Sequence, residues 1–342
     1  MHRPLRLTSS KSALLANYRY LRSTAGVRTG AAIKANGYGL GAQDVLAILY
    51  EAGCRDFFVS TWWEAQRLGD LPEGASIAVL HGVGPADLEY ALQSKAKPVL
   101  NSVYQAQWWR ARAPGRPCDV MIDTGMNRLG FRPEEGSALA DLNISTLHSH
   151  LACADEDHSM NERQLDAFRR AASEISAQSY SLANSAGILL GRKYSFDLVR
   201  PGLGLYGGVP RPEARPHLRR VFSLEAQVLQ RRVIKAGETC GYGASFTAPR
   251  DVEAAIVNIG YADGYWRAFS AKGNASIGGA TLPVLGRVSM DLVALGCDDL
   301  PDLTEGDWVM MDFDLERAAA QTGKTQYELL TGLGARFERA WH

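Results

Sequence analysis

Lys34 follows the apolar run Ala31-Ala32-Ile33 and precedes Ala35-Asn36-Gly37-Tyr38-Gly39. A lysine leaving a buried strand has two readings. It is an ordinary strand-end charge reaching solvent, or an amine whose pKa is lowered by burial or a nearby cation so that it attacks an aldehyde and forms an imine. Its company bears on the choice. Gly202-Leu203-Gly204, Gly204-Leu205-Tyr206-Gly207 and Asn184-Ser185-Ala186-Gly187 offer backbone amides and a hydroxyl to a phosphate, although each cluster alone also fits a tight turn. Arg200 stands just before the glycines. A guanidinium facing a pyridine nitrogen donates a hydrogen bond and stays charged, so the ring remains unprotonated and withdraws electrons less strongly. The bland alternative is an arginine paired with a neighbouring loop. His150 suits packing against a flat ring, and His148 points to the same side of the strand. Tyr242, between glycines at 241 and 243, is either a turn aromatic or a phenol that exchanges a proton with a substrate carbon.

These residues need a scaffold that gathers them. Short apolar runs at 29–35, 56–60, 76–80, 98–101, 119–123, 145–151, 180–183 and 196–199 alternate with helical stretches such as 43–52, 86–93, 104–111 and 159–173. Apolar strands followed by helices indicate a parallel sheet covered on its outside. The number of strands favours closure into a (β/α)8 TIM barrel over an open sheet, and no Gly-x-Gly-x-x-Gly follows the first strand to support dinucleotide binding. Barrel chemistry sits at the C-terminal strand ends, which is where Lys34, Asn101, Asp123 to Arg128, His150, Asn184-Ser185 and Arg200 fall.

The period changes after 211–220, which reads as a linker. Beyond it, strand-like segments separated by glycine and proline turns, with short helices near 313–321 and 326–330, make a second, mostly β domain. The expected division is 8–212 for the α/β barrel and 218–342 for the β domain. The 342 residues carry 37 basic and 37 acidic side chains, which leaves no electrostatic footprint for nucleic acid or an anionic membrane surface. Five cysteines at 54, 118, 153, 240 and 297 lack disulfide or zinc-ligand spacing, so a reducing compartment and no metal are expected. With no apolar run resembling a leader or a span, the expected location is the cytoplasm.

The run at 31–41, AAIKANGYGLG, closely resembles the cofactor-lysine signature of the alanine racemase family. The resemblance continues in family order through DTGMNRLG (123–130), HSHLACAD (148–155), ANS (183–185), VRPGLGLYG (199–207), GYG (241–243), GYADG (260–264) and GRVSMD (286–291). It implies interconversion of L- and D-alanine by two bases on pyridoxal 5'-phosphate. Lys34 would carry the cofactor, with Tyr38, Asn184, Ser185 and the amide of Gly202 at its phosphate, His150 beside its ring and Arg200 at its pyridine nitrogen. Arg128 would contact the phenolic oxygen and the substrate carboxylate. Tyr242 would be the second base, with Tyr261, Met290 and Asp291 lining the substrate end.

The same resemblance implies a homodimer in which the β domain of one copy completes the barrel mouth of the other, with residues 1–7 packed on the β domain. The sequence departs from the family pattern at Met121, where many members carry a carbamylated lysine that supports the arginine; at Ser289, often cysteine; and at Ala335, a tyrosine in some. Asn101, a water or an anion would then support Arg128. A racemase for serine or a basic amino acid, a decarboxylase, and a non-catalytic pyridoxal phosphate carrier stand as alternatives. Arg200 speaks against the decarboxylase, and the second domain with Tyr242 against the carrier.

Overall fold

The computed structural model describes residues 2–342, which divide into two compact units: residues 13–219, and residues 2–12 together with 220–342.

In the first unit, strands Ala31–Ala32, Asp56–Val59, Ser76–Val79, Lys97–Leu100, Pro117–Met121, Asn143–His148 and Ser179–Ser181 pair in parallel in chain order. Leu198–Val199 pairs in parallel with Arg28–Thr29. The ring closes because the Asp197 and Arg200 amides donate to the Tyr180 and Ala183 carbonyls, while the Gly30 and Ala32 amides donate to those of Val199 and Pro201. Arg28–Thr29 and Ala31–Ala32 are thus one stave interrupted at Gly30. A Cβ on that residue would meet the Asp56 carbonyl oxygen at 2.5 Å and the Phe58 ring at 2.8 Å, so only glycine permits this approach of neighbouring staves. Helices cover the outside with their apolar faces. Ala42–Glu51 buries Val45, Leu46, Ile48 and Leu49, and Met160–Glu174 buries Leu165, Phe168 and Ala171.

Three strands are shorter than their hydrophobicity indicates. The first stops at Ala32, and Lys34–Tyr38 forms a tight turn with Ala35, Asn36, Gly37 and Tyr38 all at positive φ. The sixth stops at His148, leaving His150 on the following loop. The eighth is only Leu198–Val199, because Phe196 has φ 48°. The stretch 211–220 is not a free linker. Arg211 is buried and donates to the Ala154 carbonyl, and His217 stacks on Tyr20 at 4.7 Å.

In the second unit, the 13-residue strand Phe222–Ile234 organises an antiparallel sheet. It pairs with Trp308–Met311 near its start and with Val252–Val257 near its end, across a bulge between Val228 and Gln230. The remaining pairings run through Val293–Gly296, Ala280–Leu285 and Asn274–Ile277 and return to Trp308–Met311, so these strands close a barrel. Leu5–Ser9 lies between Phe222–Ile234 and Glu338–Trp341, antiparallel to the first and parallel to the second. No helix among the described residues is long and apolar enough to cross a membrane.

Candidate active site

Lys34 begins a turn that L-residues avoid. Ala35 (φ 52°), Asn36 (φ 55°) and Tyr38 (φ 53°) lie in the left-handed region, a conformation costing about 1 kcal/mol per residue. Local bonds hold it. The Gly37 amide donates to the Ile33 carbonyl at 2.7 Å, the Ala42 amide to Asn36 Oδ1 at 3.1 Å, and the Ala35 amide to Glu64 Oε1 at 2.6 Å. Glu64 is itself fixed by the capping box at the start of helix Trp62–Leu68, where Thr61 is the N-cap. The turn aims the Lys34 amine into a site where burial, and then the Arg128 charge, lowers its pKa below that of a free lysine; Glu64 opposes the shift and Arg200 adds to it.

Tyr38 leaves the same turn and stacks on Tyr206 at 4.7 Å, and the Tyr206 hydroxyl donates to the Ala32 carbonyl at 2.8 Å. Its hydroxyl comes up against Gly202. Ser185 Oγ, buried, accepts from the Gly202 amide at 2.9 Å and the Gly204 amide at 3.1 Å, so the serine and both glycines meet at one point. The Asn184 side chain bonds to backbone close by in sequence. It caps the five-residue helix Ser185–Leu189, accepting from the Gly187 amide at 2.9 Å.

Arg200 is buried, and its two Nη atoms are tied to protein: Nη1 donates to the Ser181 carbonyl at 2.9 Å and Ser181 Oγ at 2.5 Å, and Nη2 to the Ser149 carbonyl at 2.6 Å. Burial pulls its pKa down only to about 10, so it stays a cation at neutral pH. Burial, reinforced by Arg200, Arg128 and Lys34, pushes His150 down to about 3, which makes it a neutral ring among three cations.

The loop bearing Arg128 is pinned to the loop bearing His150. Thr124 Oγ1 and Ser149 Oγ share a hydrogen bond of 2.8 Å, while Gln164 donates to the His150 carbonyl at 2.9 Å and accepts from the Ala152 amide at 2.8 Å. No hydrogen bond reaches the Arg128 guanidinium among the described residues. Asn101 does not support it: its Nδ2 donates to the Leu80 and Val99 carbonyls, and its Oδ1, the one atom that could accept from a guanidinium, has no hydrogen-bond partner. Met121 packs towards Gly130 instead.

The β unit places Tyr242, Tyr261, Met290 and Asp291 on adjoining turns. The Tyr261 and Ala262 amides donate to the Ser289 and Met290 carbonyls at 3.1 Å each, and a Cβ on Gly260 would meet the Met290 carbonyl oxygen at 2.2 Å. The turn holding Tyr242 packs on Arg287, whose guanidinium would be 2.9 Å from a Cβ on Gly243. Arg336, absent from the sequence-based set, clasps these turns: Nε and Nη2 chelate the buried Asp263 at 2.6 and 2.7 Å, and Nη1 donates to Asp291 at 2.6 Å. The sequence signal was its place beside Ala335, a position singled out for another reason.

The donors fit pyridoxal phosphate. A desolvated amine can bond its aldehyde, a serine and two close-packed glycine amides suit its phosphate, and an always-charged arginine suits its ring nitrogen. Barrel enzymes that hold this cofactor through a lysine at the mouth are the class this arrangement matches. The family is given by comparison with known proteins. Residues 9–210 match the model of the alanine racemase N-terminal domain and residues 221–341 that of the C-terminal domain. The chain belongs to the alanine racemase family.

From Agrobacterium fabrum, a biosynthetic alanine racemase is 38% identical, covering 99% of this chain and 94% of the relative, and a catabolic one is 42% identical, covering 98% and 91%. The likeness thus follows the reaction rather than its metabolic direction. The crystal structure of alanine racemase from Bartonella henselae with covalently bound pyridoxal phosphate superposes with a TM-score of 0.92 at 38% identity, covering 99% of both chains.

Proposed function

We propose that this protein interconverts L- and D-alanine, using pyridoxal phosphate held by Lys34 in the unit of residues 13–219. The observation that carries the reading is the water-deprived Lys34 amine, lowered in basicity by burial and by Arg128, on a strained turn beside the Ser185–Gly202 cradle.

Ser185, the Gly202 amide and Tyr38 hold the phosphate, with Asn184 supporting them as the cap of the helix that begins at Ser185. Arg200 faces the pyridine nitrogen, the neutral His150 lies against the ring, and Arg128 orients the substrate carboxylate. Bound there, pyridoxal phosphate supplies an electron-withdrawing ring that stabilises negative charge on the substrate α-carbon. Lys34 Nζ takes or gives the α-proton on one face, and Tyr242 Oη does so on the other.

Tyr242 and Met290 are 67% and 52% exposed in the single chain, which suits side chains that a second copy covers. The assembly is a homodimer in which Tyr242, Tyr261, Met290 and Asp291 of each copy complete the other's barrel mouth. An isologous pair repeats that contact twice. The free thiols fit the reducing cytoplasm.

Incubation with L-alanine in deuterated water, followed by enantiomer ratio and α-deuterium content together, tests the reading. Both should rise towards the racemate with deuterium incorporated, and Lys34→Ala should lose both. Undiminished racemisation by Lys34→Ala would sink the assignment. Exchange only with serine or a basic amino acid would move the substrate, and exchange with none would leave a carrier.

A further inference from the structure

We infer that His148 is a positioning residue: Asp119 fixes one of its ring nitrogens so that the other pins the Arg200 guanidinium and keeps a bound cofactor's pyridine nitrogen unprotonated. The inference rests on the reading above for Arg200 itself.

His148 is fully buried within the barrel. Its Nε2 lies 3.3 Å from Asp119 Oδ2, and its Nδ1 lies 3.4 Å from Arg200 Nη1. Asp119, also buried, accepts from Lys97 Nζ at 3.0 Å and from the Thr146 amide at 3.1 Å. The Phe58 ring closes the side of this chain, edge-on to His148 at 5.8 Å and 6.0 Å from the Arg200 guanidinium carbon.

The donor and acceptor inventory admits one arrangement. Despite its burial, the hydrogen bonds and charge of His148 and Lys97 keep Asp119 below the usual carboxylate range, so it is an acceptor only. His148 Nε2 therefore carries the proton. Arginine has no acceptor, so Nδ1 must present its lone pair. An imidazolium, or the opposite tautomer, would set N–H against N–H. Burial holds His148 down to about 4, which keeps the ring neutral through the physiological range.

The consequence falls on Arg200. With Nη1 and Nη2 committed to Ser181, Ser149 and His148, the Nε–H makes no hydrogen bond among the described residues. It is the donor left for a ring nitrogen. A guanidinium free to turn would admit water and a proton to that nitrogen and strengthen the ring's pull on electrons. The side reaction then favoured is half-transamination, in which the amino group and an electron pair pass from alanine to the cofactor, releasing pyruvate and aminated cofactor.

The experiment uses purified holoenzyme and counts pyruvate released per racemisation turnover. His148→Leu should raise that ratio about ten-fold, the equivalent of one ordinary hydrogen bond. His148→Gln, which supplies one acceptor and one donor, should return it close to the wild-type value. A merely structural role would slow both reactions together, so an unchanged ratio in His148→Leu overturns the inference. Should that variant not fold, nitrogen-15 spectra of the wild-type histidines decide: His148 should be the neutral Nε2–H tautomer at pH 7, and an Nδ1–H tautomer or a charged ring overturns it. A wild type that neither binds pyridoxal phosphate nor racemises alanine would instead refute the functional reading, while the spectra would still report the Asp119–His148 contact.

Discussion

The phenolic oxygen of Tyr38 stands where a side chain at residue 202 would begin, 2.3 Å from the position of a Cβ on Gly202. The glycine is required by this close approach. Gly202→Ala should displace Tyr38 from its stack on Tyr206 and disturb the Ser185 contact. Overpacking of this kind costs about 1–3 kcal/mol, so cofactor affinity should fall about ten-fold or more. Fluorescence titration of the apoprotein with pyridoxal phosphate measures it, and wild-type affinity would remove Tyr38 from the phosphate site.

Only the neutral Lys34 amine can bond an aldehyde. Because burial and Arg128 lower its pKa, capture of pyridoxal phosphate by the apoprotein should accelerate with rising pH and reach half its maximum below 10.5, the value of an ordinary lysine. Arg128→Gln removes a like charge and should move that midpoint upward. Stopped-flow absorbance across pH follows it, and a midpoint at or above the ordinary value would contradict the burial argument.

Tyr242→Phe removes one proton carrier and leaves Lys34. Loss of a positioned acid or base typically costs about 100- to 10,000-fold. The loss should appear in α-proton abstraction from one enantiomer and spare the other. Exchange into solvent, followed separately from L- and D-alanine, separates the two faces; equal, small effects would take Tyr242 out of the chemistry.

Arg336→Ala leaves Asp263 buried without its partner. Breaking a buried pair costs about 3–5 kcal/mol, and because Arg336 is itself half-exposed the expected loss is about 2 kcal/mol, read by urea unfolding. Asp291 also loses its anchor, so KM for alanine should rise more than kcat falls. An unaffected KM would confine the clasp to stability.

Acid should destabilise the fold through His148 and His150. His148 and His150 have folded-state values of about 4 and about 3, below their ordinary 6.5. The unfolded chain binds protons that the folded chain refuses, so stability is full above pH 6.5 and falls as pH drops towards 4. Between pH 6.5 and pH 4 the loss amounts to about 3 kcal/mol per histidine. Denaturation midpoints from pH 7 to pH 4 should fall, and less steeply in His148→Gln; a flat profile would contradict neutral burial.

The barrel was legible because its staves are short apolar runs spaced by amphipathic helices, and that pattern survives in any strand buried on both faces. Strand ends were not. Ile33 and Ala35 look like strand continuation, yet the Glu64 carboxylate and the Asn36 side chain bend the backbone into a left-handed turn. Hydropathy holds no record of such bonds between distant residues. The site residues clustered by motif, but their partners did not: Asp119 reads as a strand residue, and its contact with His148 exists only once the fifth and sixth staves lie side by side. Ser181 and Tyr206, which brace Arg200 and Tyr38, are hidden for the same reason.

The strand Leu5–Ser9 pairs in parallel with Glu338–Trp341, joining two segments far apart in sequence. During synthesis the barrel sequence leaves the ribosome while this strand still lacks its neighbour Glu338–Trp341. Until that neighbour is made, Leu5–Ser9 keeps one open edge, and a nascent chain stalled before residue 338 exposes an unpaired ribbon to other chains.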